Sequence, residues 1–356
     1  MQIVEREKLL GESEIPKLLL KFSIPAIVGM LVNGLYNFVD MVFIGNGVGP
    51  LGIAGVRMGF PIIVINMAFS MLIGIGANSL ISIRLGQKRK EDAEVILGNA
   101  LMGMIIIAAL LTIAGLIFMN PLLKVFGASE DVMPYAQGYL SIILYGAIFQ
   151  MIGMGMNNFI RGEGNPKVAM ITMLIGAILN TILDPIFIFV FKWGIEGAAL
   201  ATILSMAVSA IWVLYYFLYG KSLLKIRKPN LKIRKDVIKS IITIGLAPFS
   251  MQLASSVLII FMNKGLSHYG GDIAVSAMGI INNVTMIFMM VVFGINQGAQ
   301  PIIGFNYGAQ KYDRVKTTLK YAIGAATIVV TIGFISTRLF SAQIIGIFSN
   351  DPELIA

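Results

Sequence analysis

The chain has 356 residues, of which 57% are hydrophobic and only 13% charged, with a formal net charge of +9. That balance excludes an ordinary soluble domain and marks a polytopic membrane protein, in which basic residues belong to cytoplasmic loops rather than to a nucleic-acid surface. Absence of cysteine and a single histidine, His268, exclude disulfides, thiolate metal sites and imidazole catalysis.

The N-terminal stretch Met1–Lys17 has mixed charge and no cleavable signal pattern, so the first span directs insertion. Nine apolar spans follow, at about 18–45, 52–83, 94–120, 133–160, 168–191, 195–219, 237–263, 272–300 and 314–337. Most lysines and arginines fall in the connections on the N-terminal side of the membrane. Only Arg57, Lys124, Lys192, Lys264 and Arg338 fall on the other side, which predicts a cytoplasmic N-terminus in the plasma (inner) membrane.

The first span, Lys21–Gly45, contains Pro25, Asn33, Asn37 and Asp40. An aspartate at the centre of an inserted helix costs about 2.5 to 3.5 kcal/mol, so such residues usually face a protein interior or a wet cavity. Positions 33, 37 and 40 share one helical face. The fifth span carries Asn180 and Asp184 one turn apart, with Pro185 weakening the helix there. The sixth places Thr202 on the face of Ser205 and Ser209. Together these spans offer carboxylates, amide oxygens and a hydroxyl, surroundings that suit a proton or a hard cation such as sodium and no transition metal. Alternatives remain open: Asp40 held by Asn37 as a packing device, Asp184 marking a kink, interhelical amide bonds, and Thr202 bonded to its preceding turn.

The methionines of Gln150–Phe159, including Met151 and Met154, fit either an adaptable pocket or helix packing. Beyond the sixth span, the basic segment Lys221–Asp236 reads as a linker, either a positive-inside anchor or a binder of anionic headgroups. In the later spans Gln252, Ser256 and Asn263 share a face, and Asn282 adds polarity. Sliding the chain on itself by about 222 positions matches Pro25 to Pro248, Gly76–Lys88 to Gly298–Lys311, and Val125–Asp131 to Ile347–Glu353. Six intervening spans give the copies the same orientation, a parallel repeat with its central site between the halves. The expected organisation is an all-α polytopic protein with a six-helix lobe at 1–220, a linker at 221–236 and a three-span portion of a second lobe at 237–356.

The segments Ser23–Gly45, Phe159–Lys167, Asn180–Thr202 and Gly294–Gln310 resemble the multidrug and toxic compound extrusion (MATE) transporters. The resemblance implies two six-helix bundles around a cavity opening alternately to each side, so the chain is expected to be C-terminally incomplete. It implies export of lipophilic, often cationic compounds in exchange for protons or sodium, with no other cofactor. It also implies a branch whose coupling site lies in the N-terminal lobe, at Asp40, Asn180, Asp184 and Thr202, with Asn157 as a further polar position and Pro25 as the bending point. Asn33, Asn37, Met151, Met154, Gln252, Ser256 and Asn282 are the candidate cavity residues. A monomer in the lipid bilayer is expected, not an enzyme. Two other readings are a flippase or exporter of a lipid-linked or endogenous metabolite and, ranked last, an intramembrane aspartyl hydrolase.

Overall fold

The computed structural model describes residues 2–341, 343 and 346; at 2–5, 259–260, 263–264, 266–268 and 270–276 the description is of the backbone. The matched segment Ile347–Glu353 and the side chains of Asn263 and His268 lie outside it. Among the described residues ten α-helices run in chain order: α1 (Gln2–Glu12), α2 (Ile15–Gly47), α3 (Pro50–Gly86), α4 (Lys90–Val125), α5 (Met133–Tyr145), α6 (Ala147–Gly162), α7 (Pro166–Pro185), α8 (Gly194–Leu218), α9 (Lys235–Gly308) and α10 (Tyr312–Leu339). Proline opens α2, α3, α5 and α7, where its missing N–H is needed by no intrahelical bond. Gly49 and Gly164 supply the left-handed backbone of two tight turns.

Among the described residues, 8 helical segments are long and apolar enough to cross a bilayer, and 9 if the bent pair α5–α6 is one span. That pair occupies the fourth predicted span, but with a 53° bend that the sequence reading lacks. The Leu144 carbonyl accepts a bond from Thr112 Oγ1 at 2.8 Å, and Ile203 of α8 fills the space a side chain at Gly146 would need. Two neighbouring helices thus hold the break.

The loop expected between 263 and 272 is corrected by the structure, because helical backbone runs through it from Lys235 to Gly308. No proline lies between Pro248 and Pro301 to interrupt the helix. A straight helix of 74 residues would measure about 110 Å. Yet Ile241 and Gly245 pack on α3 at Gly76 and Leu72, while Gln300 bonds to Asn78 of the same stretch. The helix therefore doubles back, giving two membrane-length arms, Lys235–Leu258 and Ala277–Gly308.

The contacts between α3 and α9 reproduce the sequence repeat in space. Asn78 Nδ2 donates to Gln300 Oε1 at 3.0 Å, and these residues are 222 apart. Gly76 packs against Ile241 and Gly245, and its repeat partner Gly298 packs against Ser23, in the segment that repeats as the stretch around Gly245. Likewise Gly86 meets the backbone of Phe305, and Gly308 meets the backbone of Ile83. Such reciprocal contacts are what an axis of two-fold pseudosymmetry generates. They close the end of the bundle that carries the basic connections. A Gly308→Val substitution should prise this end apart, because the obstruction is backbone rather than a movable side chain. The chain has no cysteine, so labelling of a cysteine introduced at Ser79 can report the opening. We expect a severalfold rise in labelling, and unchanged labelling would refute it.

Two acids, Glu163 at the α6–α7 turn and Glu94 near the start of α4, organise the same end from within. Glu163 is fully buried and accepts bonds from Arg6 (2.8 Å), Ser222 (2.6 Å), the Leu223 and Leu224 amides (2.9 and 3.3 Å) and Tyr216. Burial opposes the charge of Arg6, but Glu163 and Tyr216 outweigh it and raise the guanidinium's pKa above its ordinary value. Glu94 accepts from Arg227 at 2.9 Å and from the Lys225 amide at 3.3 Å. The basic segment is therefore docked on the bundle rather than looped into solvent. At its other end α1 is capped by cations: Lys311 Nζ reaches the Gly11 carbonyl (2.9 Å), and Arg314 Nη2 reaches those of Leu10 (3.2 Å) and Ser13 (2.7 Å). Positive groups at a helix C-terminus satisfy its orphan carbonyls and its dipole. Helix α1 thus straps the α9–α10 turn to the Glu163 cluster.

Candidate functional site

At the opposite end of the bundle, α2, α5, α7 and α8 converge on two carboxylates. Asp40, near the end of α2, is 7% exposed, and Asp184, in the last turn of α7, is 0% exposed. Pro185 follows at once, and the chain then makes a π-helical turn over Ile186–Val190 before reversing into α8. Proline withholds a donor, and π turns recur where helices are deformed to place functional groups. The Asp40 and Asp184 carboxyls face each other within hydrogen-bonding reach.

Asn180 links the remaining members. Its Nδ2 donates to Asp184 Oδ1 at 3.1 Å and to Thr202 Oγ1 at 3.4 Å, while Thr202 itself donates to the Ala198 carbonyl at 3.0 Å. Both alternatives considered for these residues, an interhelical amide bond and a threonine bonded to its preceding turn, are realised within the site. Asp40 Oδ1, Asp184 Oδ2 and Asn180 Oδ1 are buried without a hydrogen-bond donor. Among the described residues no lysine or arginine forms a salt bridge with either carboxylate. Two such carboxylates cannot remain together unpaired in a low-dielectric interior. The donor set, three orphan oxygens beside a hydroxyl, has the chemistry to accept a shared proton or a hard cation.

Two tyrosines absent from the sequence reading join this group. Tyr36 of α2 lies near both carboxyls, one helical turn before Asp40. Tyr139 of α5 is buried and lies near Asp40, Asp184, Tyr36 and Thr202. The i, i+4 spacing of Tyr36 and Asp40 was available in the sequence as a signal. Nothing local distinguished Tyr139, because its place depends on how α5 packs against α8.

Other predicted residues lie elsewhere. Asn157 is buried with an orphan Oδ1, but it sits near the start of the α6–α7 turn, about 20 Å along the helix axes from Asp184. Met151 is fully buried in the main apolar core, which corrects its placement in a cavity, since that face of α6 packs against the bundle. Met154 is half-buried. Asn37 Nδ2 donates to the Asn33 carbonyl at 2.7 Å and is exposed, as is Asn282 on the second arm of α9. Gln252 and Ser256 lie half-buried on the first arm, where Ser256 Oγ donates to the Gln252 carbonyl at 3.0 Å. Pro25 is buried within an unbroken α2, beside the Ser23–Gly298 and Ile27–Gly294 contacts.

A bundle of membrane-length helices, closed at one end and carrying a buried pair of carboxylates toward the other, has the architecture of a multi-pass membrane transporter. The MatE family model matches residues 25–186 and 247–356, well over half of the chain, and the chain belongs to this family of multidrug efflux transporters. It is 27% identical over 348 residues to the multidrug export protein MepA of Staphylococcus aureus, covering 97% of this chain and 76% of the relative. Among solved structures, a MOP superfamily transporter from Pyrococcus furiosus superposes with a TM-score of 0.91 at 29% identity, covering 98% of this chain and 77% of that one. That protein is described as having a binding pocket of reverse polarity that suggests a different function. A multidrug resistance MATE transporter in an outward-facing conformation gives 0.92 at 28% identity, with the same coverage of 98% and 77%. The chain thus spans about three quarters of these relatives. Family membership makes it a transporter and not an enzyme, and the hydrolase reading falls.

Proposed function

We propose that the chain works as a secondary antiporter that exports lipophilic, cationic compounds in exchange for protons or sodium. The observation that carries this reading is the Asp40–Asp184 pair, buried face to face without a cationic partner. Asn180, Thr202, Tyr36 and Tyr139 complete the coupling site, and Asn33, Asn37, Gln252, Ser256 and Asn282 contribute to the substrate path.

In this reading residues 1–220 form the first lobe and 221–236 the linker, and 237–356 belong to the second lobe. The reciprocal α3–α9 contacts support that division. The positive-inside rule puts the basic end in the cytoplasm, so the closed end is cytoplasmic and the carboxylate end faces outward. A proton or sodium ion entering from outside neutralises the carboxyl pair and changes how α2 packs against α5, α7 and α8. Pro25, where α2 lacks one backbone donor, absorbs the bend and lowers substrate contact as the ion is gained. Each charge entering down the membrane potential supplies about 2.3 kcal/mol per 100 mV.

The test is dye efflux from reconstituted vesicles with imposed gradients. A pH or sodium gradient should each be tried alone. Efflux driven by at least one supports coupling, and efflux indifferent to both overturns it. A second reading keeps the architecture and changes the cargo to a lipid-linked or endogenous metabolite. It is favoured by the likeness to the Pyrococcus furiosus transporter with the reversed pocket. Transport of an anionic lipid carrier without any dye movement would select it.

A further inference from the structure

We infer that the docked basic segment forms a site for the headgroup of an anionic phospholipid, at the seam between α4 and the start of α9. Neither its charge nor its position alone requires this; the way the segment is pinned does. Asn230 packs its carbonyl directly over Gly98 of α4, where any Cβ would collide with it. Asn99, fully buried, donates to the carbonyls of Asn230 (3.3 Å) and Lys232 (3.4 Å) and accepts from the Arg234 amide at 2.7 Å. The backbone from Asn230 to Arg234 is therefore held in one conformation, and Lys228, Lys232, Arg234 and Lys235 project from it as exposed side chains. Among the described residues none of these four forms a salt bridge, and Glu94, the buried acid of the seam, is already occupied by Arg227. The nearest other acid in sequence is the exposed Asp236, so the seam keeps an excess of positive charge.

Depth identifies the partner. On α4 the exposed apolar surface begins at Ile106 and continues through Leu110 and Ile113, about 12 Å beyond Gly98. On α9 it begins at Ile242 and Leu246, two turns beyond Lys235. The four cations thus lie just outside the edge of the hydrocarbon band, where lipid phosphates sit. A lipid gives both the anion for the cations and the acyl chains for the adjoining surface, which free phosphate does not.

The test measures binding of a fluorescent phosphatidylglycerol to the intact chain in mixed micelles, with phosphatidylcholine as reference. The expected preference for phosphatidylglycerol is about tenfold or more, since each cation near an anionic surface is worth roughly fivefold. Lys228→Gln, Lys232→Gln, Arg234→Gln and Lys235→Gln combined should erase it. Asn99→Leu keeps every cation but releases the backbone, and should lose most of the preference. Equal binding of the two lipids, or a preference surviving the four-fold neutralisation, overturns the proposal. A preference unchanged in Asn99→Leu replaces the built site by diffuse attraction. Competition by inorganic phosphate at matched ionic strength would assign the cations to a soluble anion instead.

Discussion

Asp40→Asn and Asp184→Asn are each expected to abolish coupled export while leaving the protein in the membrane. Both carboxyls are buried, each keeps an oxygen without a donor, and they face one another. An asparagine at either place is nearly isosteric and supplies its own N–H to the remaining carboxyl, so packing survives. What it removes is the second negative charge, and with it the reason for a proton or cation to occupy the site. The fall should be at least a hundredfold in gradient-driven efflux, the scale of losing about 3 kcal/mol of ion binding. Asn180→Ala should weaken ion dependence less, because it takes away one amide donor and one orphan oxygen but no charge. Gradient-driven dye efflux from vesicles at matched protein content is the measurement. Full efflux by both aspartate variants would remove the pair from the mechanism.

The second large effect is structural and lies at the other end of the molecule. Glu163→Ala should destabilise the protein by about 3 to 5 kcal/mol, as expected when one partner of a buried ion pair is deleted. The reason is the number of donors it strands: Arg6, Tyr216, Ser222 and two backbone amides all converge on one fully buried carboxylate. Arg6→Ala should cost clearly less, because Glu163 then keeps its four other donors, and Arg6 itself is partly exposed. The order of the two variants, read as thermal unfolding midpoints in detergent, checks the argument. Equal midpoints would mean that the ion pair, rather than the convergent cap, carries the stability. The same measurement on Arg314→Ala isolates the far anchor of α1, where the Ser13 carbonyl would lose its donor and that of Leu10 would keep only Asn306.

How far the sequence reached depends on whether the signal was local. Asp40, Asn180 and Asp184 stood out because charge and amides in apolar spans are costly at any position in the fold, so their composition alone announces them. Thr202 and Tyr36 carry only the weaker signal of helical spacing, and of these only Thr202 was selected. Tyr139 is an ordinary aromatic residue in an apolar run, and only the packing of α5 against α8 turns it toward the carboxyls. Met151 shows the converse: a methionine-rich stretch fits a pocket or helix packing alike until the helix face that bears it is seen to pack inward. Nothing in a linear chain tells a solvated acid from one such as Glu163 or Glu94, enclosed by partners 53 to 157 positions away.

Span number, the basic asymmetry of the connections and the repeat of about 222 residues were determined by the sequence itself. Each is a periodic or compositional quantity, dictated by the thickness of a bilayer and the cost of burying charge. The bend at Gly146, the doubling back of α9, the docking of the basic segment and the meeting of Asp40 with Asp184 were decided only by tertiary structure. Their cause is steric and directional: which carbonyl Thr112 captures, where a glycine lets backbone touch backbone, and which donors remain for an oxygen once the helices have packed.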